Sequence, residues 1–213
     1  MHDNARKCFV QAYNAQLAAD SHAQVIVAAE VTQQTTDRQQ LVPMAQAVRE
    51  AAGSMPQTIT ADAGYWDTAS LHDPVLEGIE VLVSPDSQTP PPGAPLPSHA
   101  PNNTEAMQIR EILATESGRA RYSLRKAVVE PVFGQIKEAR GIRRFRLRGF
   151  ERVSGEWKLI CATHNLLKLF RHRAGIVPPT TAPGVRVWDF LIASLRLATV
   201  LSLWPGLNPA DQS

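Results

Sequence analysis

Between Tyr13 and Thr32 the chain carries two extended segments around a short polar turn, and that pairing limits the folds open to it more than any other stretch. Tyr13 to Ala19 and Gln24 to Thr32, the second rich in β-branched residues (VIVAAEVT), flank Asp20, Ser21 and His22, so a β-hairpin is predicted. Apolar residues at Leu41, Met44, Ala45 and Val48 then recur at helical spacing. This predicts a helix over 37–53, with Asp37 as cap and Gly53 as stop. Thr58 to Ala61 reads as a short buried strand ending at Asp62, where Gly64 permits a sharp exit. Trp66 to Leu76 reads as a short helix and Ile79 to Val83 as a further strand. Strands alternating with helices make the fold class α/β.

Residues 85–101 change character, with seven of the 16 prolines in SPDSQTPPPGAPLPSHAP, and read as a linker or surface insertion. Helices are predicted at Thr104 to Thr115 and Leu124 to Ala139 on either side of a turn at ESGRARY. Another is predicted over Gly155 to His172, where Trp157, Ile160, Cys161, His164 and Leu167 recur at three and four. Pro131 inside the second of these implies a kink or a helix start. Val187 to Trp204 is nearly long enough to span a bilayer but carries Asp189 and Arg196, so a buried or partner-facing helix is expected and no membrane role. Cys8 and Cys161 have no paired spacing, which excludes a disulfide framework and a zinc site and suits a cytoplasmic location.

The small net charge of +2 conceals an asymmetry. Residues 119–173 hold 15 of the 22 lysines and arginines against 4 of the 20 acids, a surplus of 11; the remainder has 7 against 16, a deficit of 9. A basic half of this size implies a polyanion partner, because each neutralised phosphate releases counterions. Its densest part contains Arg140, Arg143, Arg144, Arg146 and Arg148 interleaved with Phe145 and Phe150, and the planar guanidinium fork suits phosphate.

The chemistry centres on Asp62 and Glu130. A rigid strand ending in an acid fixes a carboxylate for a hard cation. On a wheel of roughly 100° per residue, Tyr122, Lys126, Glu130, Lys137 and Arg140 share a sector of about 80°, one acid in a line of cations. Carboxylates that meet in the fold can bridge two ions about 4 Å apart while neighbouring cations neutralise the strand being cut. Each feature also has a plainer reading, a turn aspartate and a solvated charged face. Cys161 and His164 on one apolar stripe describe core residues rather than a nucleophile pair. No glycine-rich phosphate loop, G-x-S-x-G elbow or H-E-x-x-H motif is present. Asp67, Asp73 and Asp86 read as cap and loop residues.

Taken together, YNAQ at Tyr13 to Gln16, VIVAAEVT at Val25 to Thr32, Asp37, ADAGY at Ala61 to Tyr65 and EPVFGQIKEARGIRRFRLRG from Glu130 make residues 13–170 resemble the DDE transposases of bacterial insertion sequences, in the IS4-like group. The family's Tyr, Arg, Glu, Lys signature is matched by Tyr122, Arg125, Glu130 and Lys137. Arg125 stands one residue farther from the glutamate than usual, and Lys126 stands in that place. The resemblance implies a ribonuclease H-like mixed sheet flanked by helices, with Asp62 and Glu130 as catalytic acids and ligands of Mg2+ or Mn2+. It further implies that Tyr122, Arg125, Lys126 and Lys137 contact DNA near the scissile phosphate, that Arg140, Arg143, Arg144, Arg146 and Arg148 bind the transposon end, and that the full-length family forms homo-oligomers. The family's first acid lies on a strand ahead of the hairpin. Here Asp3 is too near the terminus and Asp20 sits in the turn, so the expectation is the C-terminal part of such an enzyme, truncated before its first acid. Residues 1–173 are then a partial catalytic domain, 174–213 a tail outside the resemblance, and the alternative a noncatalytic DNA-binding or regulatory remnant.

Overall fold

The computed structural model describes residues 12–86 and 101–174 in full, and the backbone of 2–3, 8–9 and 189–198. Strands β1 (His2–Asp3) and β2 (Cys8–Phe9) pair antiparallel as a small ladder of their own. The predicted hairpin is present as β3 (Ala12–Asp20) and β4 (Ile26–Thr32), antiparallel with a register shift at Ala18/Ala19. Asp20 builds its turn: its carboxylate accepts from the backbone N–H groups of His22, Ala23 and Val25.

Helix α1 (Leu41–Ala52) ends at Gly53, whose left-handed φ of 73° lets its N–H reach the Arg49 carbonyl. Its cap position is Gln40. Asp37 does not cap it, because its side chain is taken by amides of β3. Next come β5 (Thr58–Ala61), a 3₁₀ turn at Ala63–Tyr65, the short α2 (Thr68–Leu71), a second 3₁₀ turn at Pro74–Leu76 and β6 (Glu80–Val83). As expected, Asp67 and Asp73 are caps, accepting from the N–H groups of Ser70 and Val75.

The main sheet has the order β4-β3-β7-β5-β6, where β7 (Asp189–Ala198) lies antiparallel to β3 and parallel to β5, and β5 is parallel to β6. Within the apolar stretch expected as a helix, residues 189–198 are thus a strand at the centre of the sheet. A continuous apolar run has no periodicity to separate helix from buried strand, and the gap between β3 and β5 settles it. That gap is filled from the C-terminal side of the chain.

Strand alternation divides the interior. Ala18, Ile59, Ala61 and Val83 face Leu41, Met44, Ala45 and Val48 of α1. On the other face Tyr13, Ala15, Leu17 and Ala19 meet α4 (Glu116–Gly134) and α5 (Phe150–Arg173) through Val128, Val129, Val132, Val153 and Trp157. Helix α3 (Thr104–Ala114) is separated from α4 by Thr115 alone, whose extended backbone stands where a longer break over ESGRARY was expected. Thr115 caps α4 by accepting from the Gly118 N–H, and Gly118 is needed because a Cβ there would lie 2.0 Å from the Ile112 carbonyl oxygen. The ESGRARY turn signal is therefore a helix-helix contact.

Pro131 neither starts nor ends α4. The Ala127 carbonyl that its missing N–H would have served accepts instead from Gln24 Nε2 at 3.1 Å. After Gly134 the helix widens into a π turn, Gln135–Ala139, and an irregular segment leads to α5. Most of the proline-rich stretch, 87–100, lies outside the described residues. Arg110 grips both its flanks with two bonds to Asp86, at 2.8 and 2.9 Å, and one to the Pro101 carbonyl at 2.8 Å. Asp86, a loop residue as expected, is thus also a buried ion-pair partner.

Candidate nucleic-acid and metal site

Asp62 sits where β5 ends. Since Ile59 and Ala61 point toward α1, the two-residue period turns Thr58, Thr60 and then Asp62 toward α4. The 3₁₀ turn behind it is held from the opposite face. Tyr65, fully buried, donates its hydroxyl to Gln16 Oε1; Gln16 Nε2 donates to Asp37 at 2.9 Å, as does Asn14 Nδ2 at 2.5 Å. The Asp37 carboxylate packs so close to Gly64 that a Cβ there would meet it at 3.3 Å. Asn14, Gln16, Asp37 and Tyr65 were not readable as a set, since two come from alternate positions of one strand and two from loops.

From the other side, α4 delivers Tyr122 and Arg125. The Arg125 guanidinium stands 3.4 Å from Asp62 Oδ1 and 4.7 Å over the Tyr122 ring, a cation-π contact. Its Nε has no partner among the described residues. Tyr122 is buried against Leu82 and Leu113; burial pushes its phenol up, Arg125 opposes that, and Asp62 adds to it. Tyr122 is therefore a packing and ring-stacking residue in this fold rather than an exposed contact.

Glu130 is exposed on α4 and makes no ion pair among the described residues. It lies about 7.5 Å farther along the helix than Arg125 and about 140° round it, from ideal helix geometry. Lys126, one turn before Glu130, is also exposed. The single line of charges stops there, because the π turn changes the phase before Lys137 and Arg140. Lys137 is half-buried, and burial lowers its pKa.

The arginine run is a loop pinned from inside. Phe145 is buried edge-on against Trp157, and the Glu156 carboxylate accepts from the backbone N–H groups of Arg146 and Leu147. Arg140 is turned inward to the Ile160 carbonyl and Thr163 hydroxyl, and Arg143 pairs with Glu138. Both carry intramolecular contacts where phosphate contacts were expected. Arg144, Arg146 and Arg148 are exposed. Cys161 and His164 are core groups: burial raises the thiol to about 12 and lowers the imidazole, whose Nε2 lies 3.2 Å from the Gln24 carbonyl.

Carboxylate oxygens at Asp62 and Glu130 are hard donors, which suits Mg2+ or Mn2+. The described residues nevertheless hold no group of three or more Asp, Glu, His or Cys side chains able to share a metal. The neighbour of Asp62 is a cation. These donors fall short of what a two-ion site needs.

Residues 97–170 match the family model of a transposase DDE domain. The match takes in Tyr122, Arg125, Glu130, Lys137 and the arginine loop, and supports a DDE transposase, a family that uses divalent metal and acts on DNA. No curated protein and no solved structure matches the chain. No helix among the described residues is long and apolar enough to cross a membrane.

Proposed function

We propose that this chain is the strand-cleavage and strand-transfer region of a DDE transposase of the IS4-like group, with Asp62 and Glu130 as its acids. One observation carries the reading: Arg125, inside the segment that matches the family model, folds against Asp62, outside it, joining two motifs far apart in sequence. The mixed sheet, an antiparallel hairpin continuing into parallel strands through β7, supports a ribonuclease H-like arrangement. Held by these two acids together with further ligands, a divalent ion would supply the activation of water or a DNA 3′ hydroxyl. Arg125 and Lys126 provide positive charge on the helix flanking Asp62, and Arg144, Arg146 and Arg148 contact backbone phosphates of the transposon end. Tyr122 holds the Arg125 guanidinium in place by its ring.

A second reading, a noncatalytic DNA-binding or regulatory transposase derivative, is favoured by the shortage of acids and by the guanidinium on Asp62. The test is Mg2+-dependent nicking of the DNA that flanks its reading frame, comparing the chain with Asp62→Asn and Glu130→Gln. Weak cleavage, abolished in both variants, supports the enzyme. Equal cleavage by all three removes these acids from the mechanism, and retained DNA binding without cleavage selects the second reading.

A further inference from the structure

The arginine loop is more apolar at its tip than phosphate binding requires. From Arg140 to Arg152 the chain holds six arginines against one acid, Glu151, yet Leu147 (45%) and Phe150 (41%) are also exposed there. The backbone bends at Leu147, between Arg146 and Arg148, and the bend is clamped from inside. Glu156 accepts from the N–H group of Arg146 at 2.8 and 3.0 Å and from that of Leu147 at 2.9 Å, while Phe145 is fully buried against Trp157. Gly149, at a left-handed φ of 87°, then turns the chain into α5. Phe150 is braced in turn, its ring centroid 6.4 Å from that of Tyr13 on β3. Single exposed apolar residues are ordinary on a protein surface. Two of them on a rigid loop, at the densest positive charge of the chain, add nothing to the laying of guanidinium groups on phosphates, and phosphate contacts alone read no sequence.

We propose that Leu147 is an apolar wedge that enters a base step of bound duplex DNA from the minor groove, with Phe150 behind it, while Arg144, Arg146 and Arg148 hold the phosphates on either side. The inference rests on the reading of the basic half as a DNA surface, and it adds what that surface selects. An apolar side chain driven between stacked bases partly unstacks them and kinks the duplex toward the major groove, by roughly 20 to 90° in proteins that bind this way. Unstacking costs free energy, so the wedge must be held more firmly than the bases; a loop free to fold back would give way first. The Glu156 clamp and the buried Phe145 supply that rigidity. Leucine suits the tip because it has no polar atom to satisfy inside the stack. The cost is lowest at pyrimidine-purine steps such as TA and highest in stiff A-tracts, so the loop selects DNA by deformability without reading base edges. Asp62 and Glu130 take no part in it.

The full chain is titrated at low salt into a duplex of about 20 base pairs, two helical turns, whose central TA step carries a fluorescent adenine analogue that is quenched while stacked. Binding is expected to brighten the analogue and to be about fivefold tighter than to the same duplex with an A-tract at its centre. Leu147→Ala is expected to keep the melting temperature and the log-log salt slope but to lose most of the brightening and bring the preference to about one. Leu147→Met, which keeps the apolar bulk, should retain both. Arg144→Ala combined with Arg146→Ala should give the opposite pattern, a shallower salt slope with the analogue still bright in the bound fraction. Salt-dependent binding with a dark analogue, or brightening that survives Leu147→Ala, overturns the wedge and leaves the DNA reading standing. Absence of salt-dependent binding to either duplex overturns both.

Discussion

Gln24 ties three elements together at a single turn position. It adopts a left-handed φ of 57°, its Nε2 serves the carbonyl orphaned by Pro131, its Oε1 accepts from Lys168 at 2.8 Å, and its own carbonyl meets His164. Gln24→Ala is expected to cost about 1 to 2 kcal/mol, since the Ala127 carbonyl and the Lys168 ammonium lose their partner. Gln24→Gly should cost less because it relieves the left-handed backbone. Urea denaturation of the two variants measures both. His164 predicts the pH dependence. Burial lowers its pKa in the folded state, so the unfolded chain takes up the proton first, and stability should fall as pH drops below about 6.5. His164→Gln, which can still donate to the Gln24 carbonyl, should flatten that slope between pH 7.5 and 5.5 in denaturation midpoints. A histidine on an apolar stripe is readable from sequence as a core group. The role of Asp37 is not, because its partners Asn14 and Gln16 arrive from a strand across a hairpin.

Among the elements, β7 departs furthest from what its residues suggest. It is paired on both sides, with nine residues of β3 and four of β5. Without it the sheet becomes two separate two-stranded pieces, each with a bare edge facing the interior. Deletion of residues 187–213 is therefore expected to abolish the cooperative melt and open the remainder to limited proteolysis; an appended tail would leave both unchanged. The hairpin, α1 and β5 were legible because alternation and helical spacing both report local burial. The start of α4 was not: Ser117 and Gly118 look like a turn, and only the end of α3 packed against Gly118 explains the glycine.

At the scale of the molecule, the basic half of the sequence is carried by α4, the arginine loop and α5. The loop is held by Phe145 and Glu156 while Arg144, Arg146 and Arg148 are exposed. Binding to duplex DNA should weaken steeply with salt, and replacing these three arginines by alanine should reduce the log-log slope by about 0.9 for each phosphate that is no longer neutralised. Filter binding from low to moderate salt measures it, and an unchanged slope would place the phosphates elsewhere.

Properties that act within a few residues were settled along the chain: the hairpin, the stop at Gly53, the strand that presents Asp62, and a basic half suited to phosphate. Whatever required distant segments to meet was decided by packing. The Arg125 contact with Asp62, the inward turn of Arg140, the amide that rescues the carbonyl left by Pro131, and the strand between β3 and β5 all belong to that class. Apolar spacing and turn residues encode whether a position is buried, but not which distant group shares its surroundings, and that partner determines whether a charge meets DNA, an ion or its own protein.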